Sequence, residues 1–303
     1  MSMATLLGKM VVFVVLMVTG YICARSNFAG IEFTRDASKL VLNVFMCATI
    51  INSVLGLETR LTGRDLMTVL LVMTATILIC YAVAAIACRT LPIEAERRPI
   101  FEQHIAVMNS MFIALPVLSE LYGPQAVFYC SLSNIPYNLF LYSYGTARLR
   151  EDGGSNLRDI ISVPLVSSLV ALVPFLIRPP VPGVVKDVFS TASNATMPLS
   201  MLVVGSSLGS VSLLDSFRDW RLYIAAALRL LLCPLLVRLA AGLITTDPIL
   251  LAAAVMVAAA PTGIIVTVLS LQYGRDAVFA SEGVLLTTCL SMVTIPVVIY
   301  TML

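Results

Sequence analysis

Two long apolar stretches of the chain carry polar residues beside a proline, where a helix would be interrupted. The first runs from Asn109 through Ser110 to Pro116, and the second places Thr262 directly after Pro261. Proline removes a backbone donor and clashes with the carbonyl four residues earlier, which costs about 3 kcal/mol inside a helix. The freed backbone amides, helped by the Asn109 side chain, are suited to hold a carboxylate through hydrogen bonds.

Each of these residues also has a purely structural interpretation, and the sequence leaves both open. The prolines fit simple kinks as well as breaks, and Asn109 fits a side chain that stitches the broken helix without touching a ligand. Ser110 and Thr262 are weaker candidates for binding, because hydroxyl groups often bond back to their own helix.

A second polar pair lies in the next apolar stretch. Asn134 and Asn138 are four residues apart and share a face if the helix continues through Pro136. Two roles are open for this pair: binding a ligand, or hydrogen bonding between helices, which is the usual role of polar residues in membrane bundles.

Two ionisable residues also lie within apolar stretches, where a charge costs about 2.5–3.5 kcal/mol or more at the bilayer centre. Glu282 fits a proton-coupling carboxylate or a cation ligand, and equally a residue that reaches the interface or pairs with Arg275. Arg229 fits a group that attracts an anion or compensates a carboxylate, and equally a snorkelling side chain.

Catalytic chemistry is not indicated anywhere in the sequence. We find no nucleophile with its base, paired acids, phosphate-binding loop or metal-ligand spacing, and the seven cysteines are scattered through apolar sequence. A net charge of +2 gives no basic face for nucleic acid. We therefore expect neither an enzyme, a metal centre, a cofactor nor a nucleic-acid partner, and leave open coupling to a proton or a sodium ion.

The composition identifies the elements that must position these residues. The chain is 59% hydrophobic and 12% charged, far from the roughly 45–50% apolar and 25% charged residues of soluble domains. A span of the lipid bilayer needs about 20 mostly apolar residues, and the sequence predicts an all-α membrane protein with ten such spans. They are residues 4–24, 34–55, 66–88, 103–121, 124–147, 160–177, 184–208, 220–244, 248–271 and 277–301.

The chain also repeats itself at an offset of 151 residues. Tyr122-Gly123 returns as Tyr273-Gly274, and the offset also relates Asn43 to Asn194. Two copies of five helices must be inverted relative to each other, as in many secondary transporters. This predicts repeats at 1–147 and 160–303, joined by a linker at 148–159, with the alternative of chance similarity. The two proline breaks fall in equivalent elements, although the prolines do not align.

The distribution of Lys and Arg predicts the orientation. With the N-terminus outside, the inside connections hold twelve basic residues and the outside ends six. The positive-inside rule then places both termini outside a cell's inner (plasma) membrane and the linker in the cytoplasm.

Three motifs, in this order and spacing, resemble the auxin efflux carrier family, which includes bacterial malonate-type permeases and plant auxin exporters. They are Asn109-xx-Phe112-xx-Leu115-Pro116 before Tyr122-Gly123, the run Met197-Pro198-Leu199-Ser200, and Ala260-Pro261 before Tyr273-Gly274. The resemblance covers essentially the whole chain. Two departures are Cys47 in place of the proline usual in the second span, and a central loop far shorter than that of the plant exporters.

The resemblance implies a fold similar to the bile acid sodium symporters. In such proteins helices 1, 2, 6 and 7 form a scaffold, helices 3–5 and 8–10 form a moving transport domain, and the broken helices 4 and 9 cross. Substrate binds beside that crossing, with polar side chains from helix 5. Members of the family carry organic anions by an elevator-like movement and often form homodimers.

The resulting expectation is a secondary active transporter of a small organic anion, a carboxylate such as malonate or an auxin-like acid. Its site would comprise Asn109, Ser110, Asn134, Asn138 and Thr262 beside the breaks at Pro116 and Pro261. Two alternatives remain: a sodium-coupled symporter of the bile-acid type, and a membrane sensor that binds the anion without transporting it.

Overall fold

The computed structural model describes residues 3–26, 28, 30–57, 61–150, 161–177, 180–209 and 219–303. Within these ranges the regular elements are helices, together with one isolated antiparallel bridge between Met108 and Thr262. Most of the predicted linker at 148–159 lies outside the described residues.

The first half of the chain forms eight helices, three of them continued through π-helical turns. They are α1 (Met3–Arg25), α2 (Ile31–Leu40), α3 (Met46–Leu55), α4 (Gly63–Thr90), α5 (Arg98–Ala106), α6 (Leu115–Leu132), α7 (Asn134–Phe140) and α8 (Thr146–Leu149). The π-helical turns are Val41–Phe45, Ser110–Ala114 and Leu141–Gly145. Local sequence explains at least one start, because Thr62 and Asp65 form a reciprocal capping box before α4.

The second half forms seven helices in its described part. They are α9 (Val163–Ile177), α10 (Gly183–Gly209), α11 (Trp220–Ala227), α12 (Cys233–Ile244), α13 (Pro248–Ala259), α14 (Ile265–Gln272) and α15 (Ala277–Met302). A π-helical turn, Leu228–Leu232, joins α11 to α12.

The all-helical membrane architecture predicted from composition is confirmed. Six helical segments of the described chain are long and apolar enough to cross a membrane: Gly8–Arg25, Glu32–Leu55, Gly63–Thr90, Ser110–Leu149, Trp220–Ile244 and Ala277–Met302. Val163–Ile177 and Pro248–Ala259 are apolar but shorter. The Ser110–Leu149 segment contains Gly123, which has non-helical dihedral angles (φ 76°, ψ −164°), so the chain turns between the predicted fourth and fifth spans.

The fourth predicted span is interrupted before Asn109, and not at Pro116 as expected. Its helix α5 ends at Ala106, Val107 is extended, and the helix resumes at Ser110. Pro116 lies in the first turn of α6, where a missing backbone donor is tolerated, and the preceding π-helical turn closes with a bond from Leu115 N to Ser110 O. The break in the ninth span is where Pro261 predicts it, because α13 ends at Ala259 and α14 begins at Ile265.

Close packing of α1 against α10 joins the two halves of the chain. A Cβ atom added to Gly205 would lie 1.9 Å from Met17 O, and one added to Gly20 would lie 2.1 Å from Leu202 O. Small residues allow membrane helices to approach this closely. The Ser206 hydroxyl then donates to Gly20 O at 3.1 Å across the same contact.

A second contact between the halves joins α10 to the second predicted span. Thr49 and Thr196 share a hydrogen bond of 2.7 Å between their hydroxyl oxygens, and the Thr196 hydroxyl also donates to Phe45 O at 3.0 Å. Phe45 and Thr196 are 151 residues apart, which is the offset of the sequence repeat.

Candidate functional site

The two interrupted spans meet at a short antiparallel pair of backbone segments, residues 107–109 and 260–263, which we call the crossover. Asn109 N donates to Pro261 O at 2.8 Å, and Gly263 N donates to Val107 O at 3.1 Å. Because unpaired amides cost several kcal/mol at membrane depth, these bonds stabilise non-helical backbone inside the protein. The bridge between Met108 and Thr262 holds the two interrupted spans together.

Thr262 fixes the crossover to its neighbours through both its backbone and its side chain. Its hydroxyl donates to His104 O in α5 at 2.8 Å, and its backbone N–H donates to the Thr287 hydroxyl in α15 at 3.2 Å. Thr262 is fully buried. The hydroxyl of Thr262 therefore joins the ninth-span side of the crossover to α5, whereas the structural interpretation of the sequence was a bond back to its own helix.

Asn109 presents an unused donor at the same place. Its side chain is 5% exposed, and its Nδ2 atom has no hydrogen-bond partner. It occupies the N-cap position of the segment that resumes at Ser110, yet its side chain makes no capping bond. A buried donor without an acceptor is costly, so the Asn109 amide is suited to donate a hydrogen bond to a ligand.

Two helices begin at the crossover and direct their N-terminal ends into it. One is the run from Ser110 into α6, and the other is α14, which starts at Ile265. The first amides of a helix have no intrahelical acceptor, and the helix dipole adds about half a positive charge at that end. Together with Asn109 and the buried Ser110, these ends form an environment that favours an anion.

The asparagines of the predicted fifth span lie next to this environment but are engaged within the protein. Asn134 Nδ2 donates to the Ser168 hydroxyl in α9 at 3.2 Å and lies 3.6 Å from Met111 Sδ, two residues after the crossover. Asn138 Nδ2 donates to Asn134 O at 2.8 Å within the same helix run. The structure thus brings Asn134 close to Asn109, with its amide in an interhelical hydrogen bond.

The two ionisable candidates occupy different surroundings. Arg229 is fully buried, and its guanidinium contacts the carbonyl side of the crossover, at the ends of α5 and α13. Glu282 is half-buried near the start of α15. Arg275, the ion-pair partner considered for Glu282, donates its Nε to Leu149 O at 2.6 Å.

Beyond the crossover, a narrow apolar cavity separates the resumed fourth span from α1 and α10. Ile113 and Val117 line one side, and Met10, Phe13, Met17 and Met201 line the other, with Ile295 from α15. Ile113 N donates to Asn109 O at 3.3 Å, so the cavity begins one helical turn from Asn109, the candidate binding residue. The apolar wall is therefore placed beside the anion-favouring end of the helix.

Sequence reasoning missed several polar residues of α5. His104 is fully buried, with its ring against Gly283 and its Nδ1 unpartnered. Glu102 is also buried, where it accepts from Arg148 Nε at 2.8 Å and from the Tyr144 hydroxyl at 2.6 Å. The signal that could have found them is Pro99, a residue type typical of a first helical turn, which starts α5 before the predicted residue 103.

A further group of unused polar atoms surrounds Gly145. Both side-chain polar atoms of Gln103 and the hydroxyl of Tyr81 are buried without partners. A Cβ atom added to Gly145 would lie 3.1 Å from Gln103 Oε1 and from Tyr81 Oη. These groups lie in the protein interior where α4, α5 and the π-helical turn Leu141–Gly145 meet.

Comparisons with known proteins match this chain to a family model and to a similar protein. The family model described as membrane transport protein matches residues 5–158 and 154–299. An uncharacterized transporter of Methanothermobacter thermautotrophicus is 24% identical over 287 residues, which cover 93% of this chain and 93% of the relative.

Proposed function

Because the chain belongs to the membrane transport protein family, the auxin efflux carrier family, we propose that it is a secondary active transporter of a small organic anion. The substrate class is a carboxylate, such as malonate or an auxin-like acid. The protein then acts as a permease and not as an enzyme, moving its substrate by alternating access of the elevator type.

The observation that carries this proposal is the unpartnered Nδ2 of Asn109 at the crossover. Two helix N-termini supply partial positive charge there, and the 5% exposure of Asn109 keeps the site in a low-dielectric environment where such interactions are strong. A carboxylate would accept from Asn109 and from the first amides after the break, with Ser110 as an additional donor. Asn134 and Asn138 would line the site from the fifth span, exchanging their present hydrogen bonds for bonds to the substrate.

The apolar cavity beside Ile113 disfavours a substrate with a second charge. Its lining residues Met10, Phe13 and Met201 offer no charge to a second carboxylate. A dicarboxylate would have to leave one charge in that wall, which is costly in a low-dielectric site. Because the cavity has a volume of only about 20 Å³, it distinguishes the two acids by charge, in favour of one carboxylate, and not by the fit of an apolar body.

The proposed architecture is ten spans in two inverted repeats of five. Gly123 and Gly274 support it, because both adopt positive φ angles (76° and 66°) and are 151 residues apart. The contact of Thr196 with Phe45 supports it too, since residues that are equivalent in two repeats meet at a pseudo-two-fold axis. We place helices 1, 2, 6 and 7 in the scaffold and helices 3–5 and 8–10 in the transport domain.

The proposed setting is the inner membrane, with both termini outside and the central linker in the cytoplasm. A homodimer is supported by Asn43 and Asn194, which are exposed on the second and seventh spans. Amide side chains facing lipid are unfavourable, and a second copy would provide them with hydrogen-bond partners.

Counterflow in proteoliposomes tests the function. Purified protein would be loaded with one unlabelled acid and offered a labelled panel that contains malonate and indole-3-acetate, with and without proton and sodium gradients. We expect saturable exchange of the monocarboxylate that exceeds exchange of malonate, and no exchange in liposomes without protein. Absence of flux for every acid, combined with thermal stabilisation of the protein by one of them, would instead identify a membrane anion sensor.

A further inference from the structure

Arg229 is the largest fully buried side chain among the described residues. It lies on the π-helical turn Leu228–Leu232, in the middle of the predicted eighth span. A cation at this depth is unfavourable unless protein groups compensate it, so its partners reveal its role.

All three nitrogen atoms of the guanidinium donate to backbone carbonyls. Nε donates to Ala260 O at 2.8 Å, one terminal nitrogen donates to Ile105 O at 3.0 Å, and the other donates to Val257 O at 3.3 Å. Among the described residues, no carboxylate lies within ion-pair distance of Arg229. The compensation therefore comes mainly from main-chain dipoles, with the buried Cys80 side chain as a further neighbour of the guanidinium.

These carbonyls belong to the two helices that run into the crossover. Ile105 is in the last turn of α5, and Val257 is in the last turn of α13, which Ala260 follows. The last carbonyls of a helix have no intrahelical donor, and each helix C-terminus carries about half a negative charge. Two such ends together balance roughly one guanidinium.

We propose that Arg229 is the resident cation of the crossover, holding the carbonyl ends of both broken helices where a coupling sodium ion would otherwise bind. Carbonyl ends of broken helices are typical ligands of coupling cations in transporters. Here a positioning residue from the eighth span occupies them, so these three carbonyls need no alkali ion, and we expect transport without a sodium requirement. This inference rests on the proposed function only where it concerns transport, because the occupancy of the carbonyls is independent of flux.

The test uses the thermal unfolding midpoint of purified protein in sodium chloride and in choline chloride. The variants are Arg229→Ala and, as a matched control, Arg238→Ala, which removes an arginine of α12 that donates to a terminal carbonyl, Met302 O, at 2.8 Å. We expect the wild type and Arg238→Ala to unfold at the same temperature in both salts. For Arg229→Ala we expect a midpoint lower by roughly 10 °C, because a set of buried acceptors loses its cation.

Two readouts separate a resident cation from a merely bulky side chain. The emptied carbonyls of Arg229→Ala should accept a small cation, so sodium or about 10 mM ethylguanidinium should raise its midpoint by several degrees while leaving Arg238→Ala unchanged. Arg229→Lys, which keeps the charge, should retain most of the wild-type midpoint and provides a second variant if Arg229→Ala does not fold. A variant that recovers with neither cation, or Arg229→Lys as unstable as Arg229→Ala, would overturn the proposal.

A measurement of transport provides the remaining test. Wild-type exchange should proceed at the same rate when choline replaces sodium on both sides, and a strict sodium requirement would overturn the inference while confirming a carrier. Failure of all exchange would count against the proposed function alone, since the unfolding measurements address Arg229 without it.

Discussion

The backbone amide of Asn109 donates to the carbonyl of Pro261 across 2.8 Å, so one hydrogen bond joins the two broken spans. The bond fixes the main chain of Asn109 and leaves its side-chain amide unpartnered. It also uses the carbonyl of a residue that has no N–H of its own, so Pro261 contributes an acceptor and no additional orphan donor. The crossover thereby separates structural backbone bonds from a side chain that is available to a ligand.

Removal of the Asn109 amide should weaken anion binding without unfolding the protein. Asn109→Ala keeps the backbone bond to Pro261 and loses one hydrogen bond to a charged group, which is worth about 1.5–3 kcal/mol. We expect the dissociation constant of the transported acid to rise roughly ten- to hundred-fold, measured by isothermal calorimetry or by ligand-induced thermal shift.

Two further variants give this prediction its control. Asn109→Asp has nearly the same size but places a negative charge beside the substrate carboxylate, and should bind more weakly than Asn109→Ala. Asn194→Ala removes an amide that is exposed on α10, and its affinity should match the wild type. Unchanged affinity in Asn109→Ala would remove Asn109 from the site.

The packing of α1 against α10 gives a stability prediction. Gly205→Ala places a methyl group 1.9 Å from Met17 O, and backbone cannot yield as a flexible side chain does. The two helices must separate, so we expect a loss of about 1–3 kcal/mol in the free energy of unfolding. Gly183→Ala, in the first turn of the same helix, meets nothing within 4 Å and is the matched control. Equal unfolding midpoints for the two variants would contradict the close contact.

The two left-handed glycines allow the repeat to be tested by mutation. Gly123 and Gly274 both have open space around them, so alanine there is disfavoured only by the positive φ angle, at about 1–2 kcal/mol. We expect Gly123→Ala and Gly274→Ala to destabilise the protein by similar amounts. Gly63→Ala, also in open space but without a positive φ, should be neutral or slightly stabilising. A neutral Gly274→Ala beside a destabilising Gly123→Ala would contradict equivalent turns.

Local sequence signals predicted the ninth-span break better than the fourth. At Pro261 the flanking alanines and Gly263 provide no alternative to an interruption, and the helix ends there. At Pro116 the helix widens into a π-helical turn that closes on Ser110 O, and the interruption moves to Asn109, whose main chain (φ −88°, ψ 60°) is held by a residue of the other half. The choice between two such outcomes depends on a tertiary contact that no local pattern contains.

The surroundings of Arg229 could not be predicted from the sequence for the same reason. Its acceptors lie 28, 31 and 124 residues away along the chain, and all of them are backbone oxygens, which carry no residue signature. The burial of His104 likewise depends on Gly283, a residue that leaves room for the imidazole ring on the surface of α15. In contrast, the six long apolar segments of the described chain could be predicted, because length and composition alone decide whether a segment suits a bilayer.

An ion pair between α1 and α6 should slow the proposed elevator movement. Lys9 Nζ lies 2.9 Å from Glu120 Oε1 and also donates to Glu120 O at 2.6 Å, which ties the first span to the end of the fourth. If the fourth span moves against the first, these contacts must break in every cycle. Both side chains are partly exposed (32% and 42%), so the pair is worth at most about 1 kcal/mol. Lys9→Met should therefore raise the initial counterflow rate by roughly two- to five-fold.

Lys39→Met, which removes a pair with Asp36 inside α2, should leave the rate unchanged. Because salt screens exposed pairs, the wild-type rate should approach that of Lys9→Met as ionic strength rises. A Lys9→Met rate at or below the wild-type value at low salt would show that this contact does not restrain the movement.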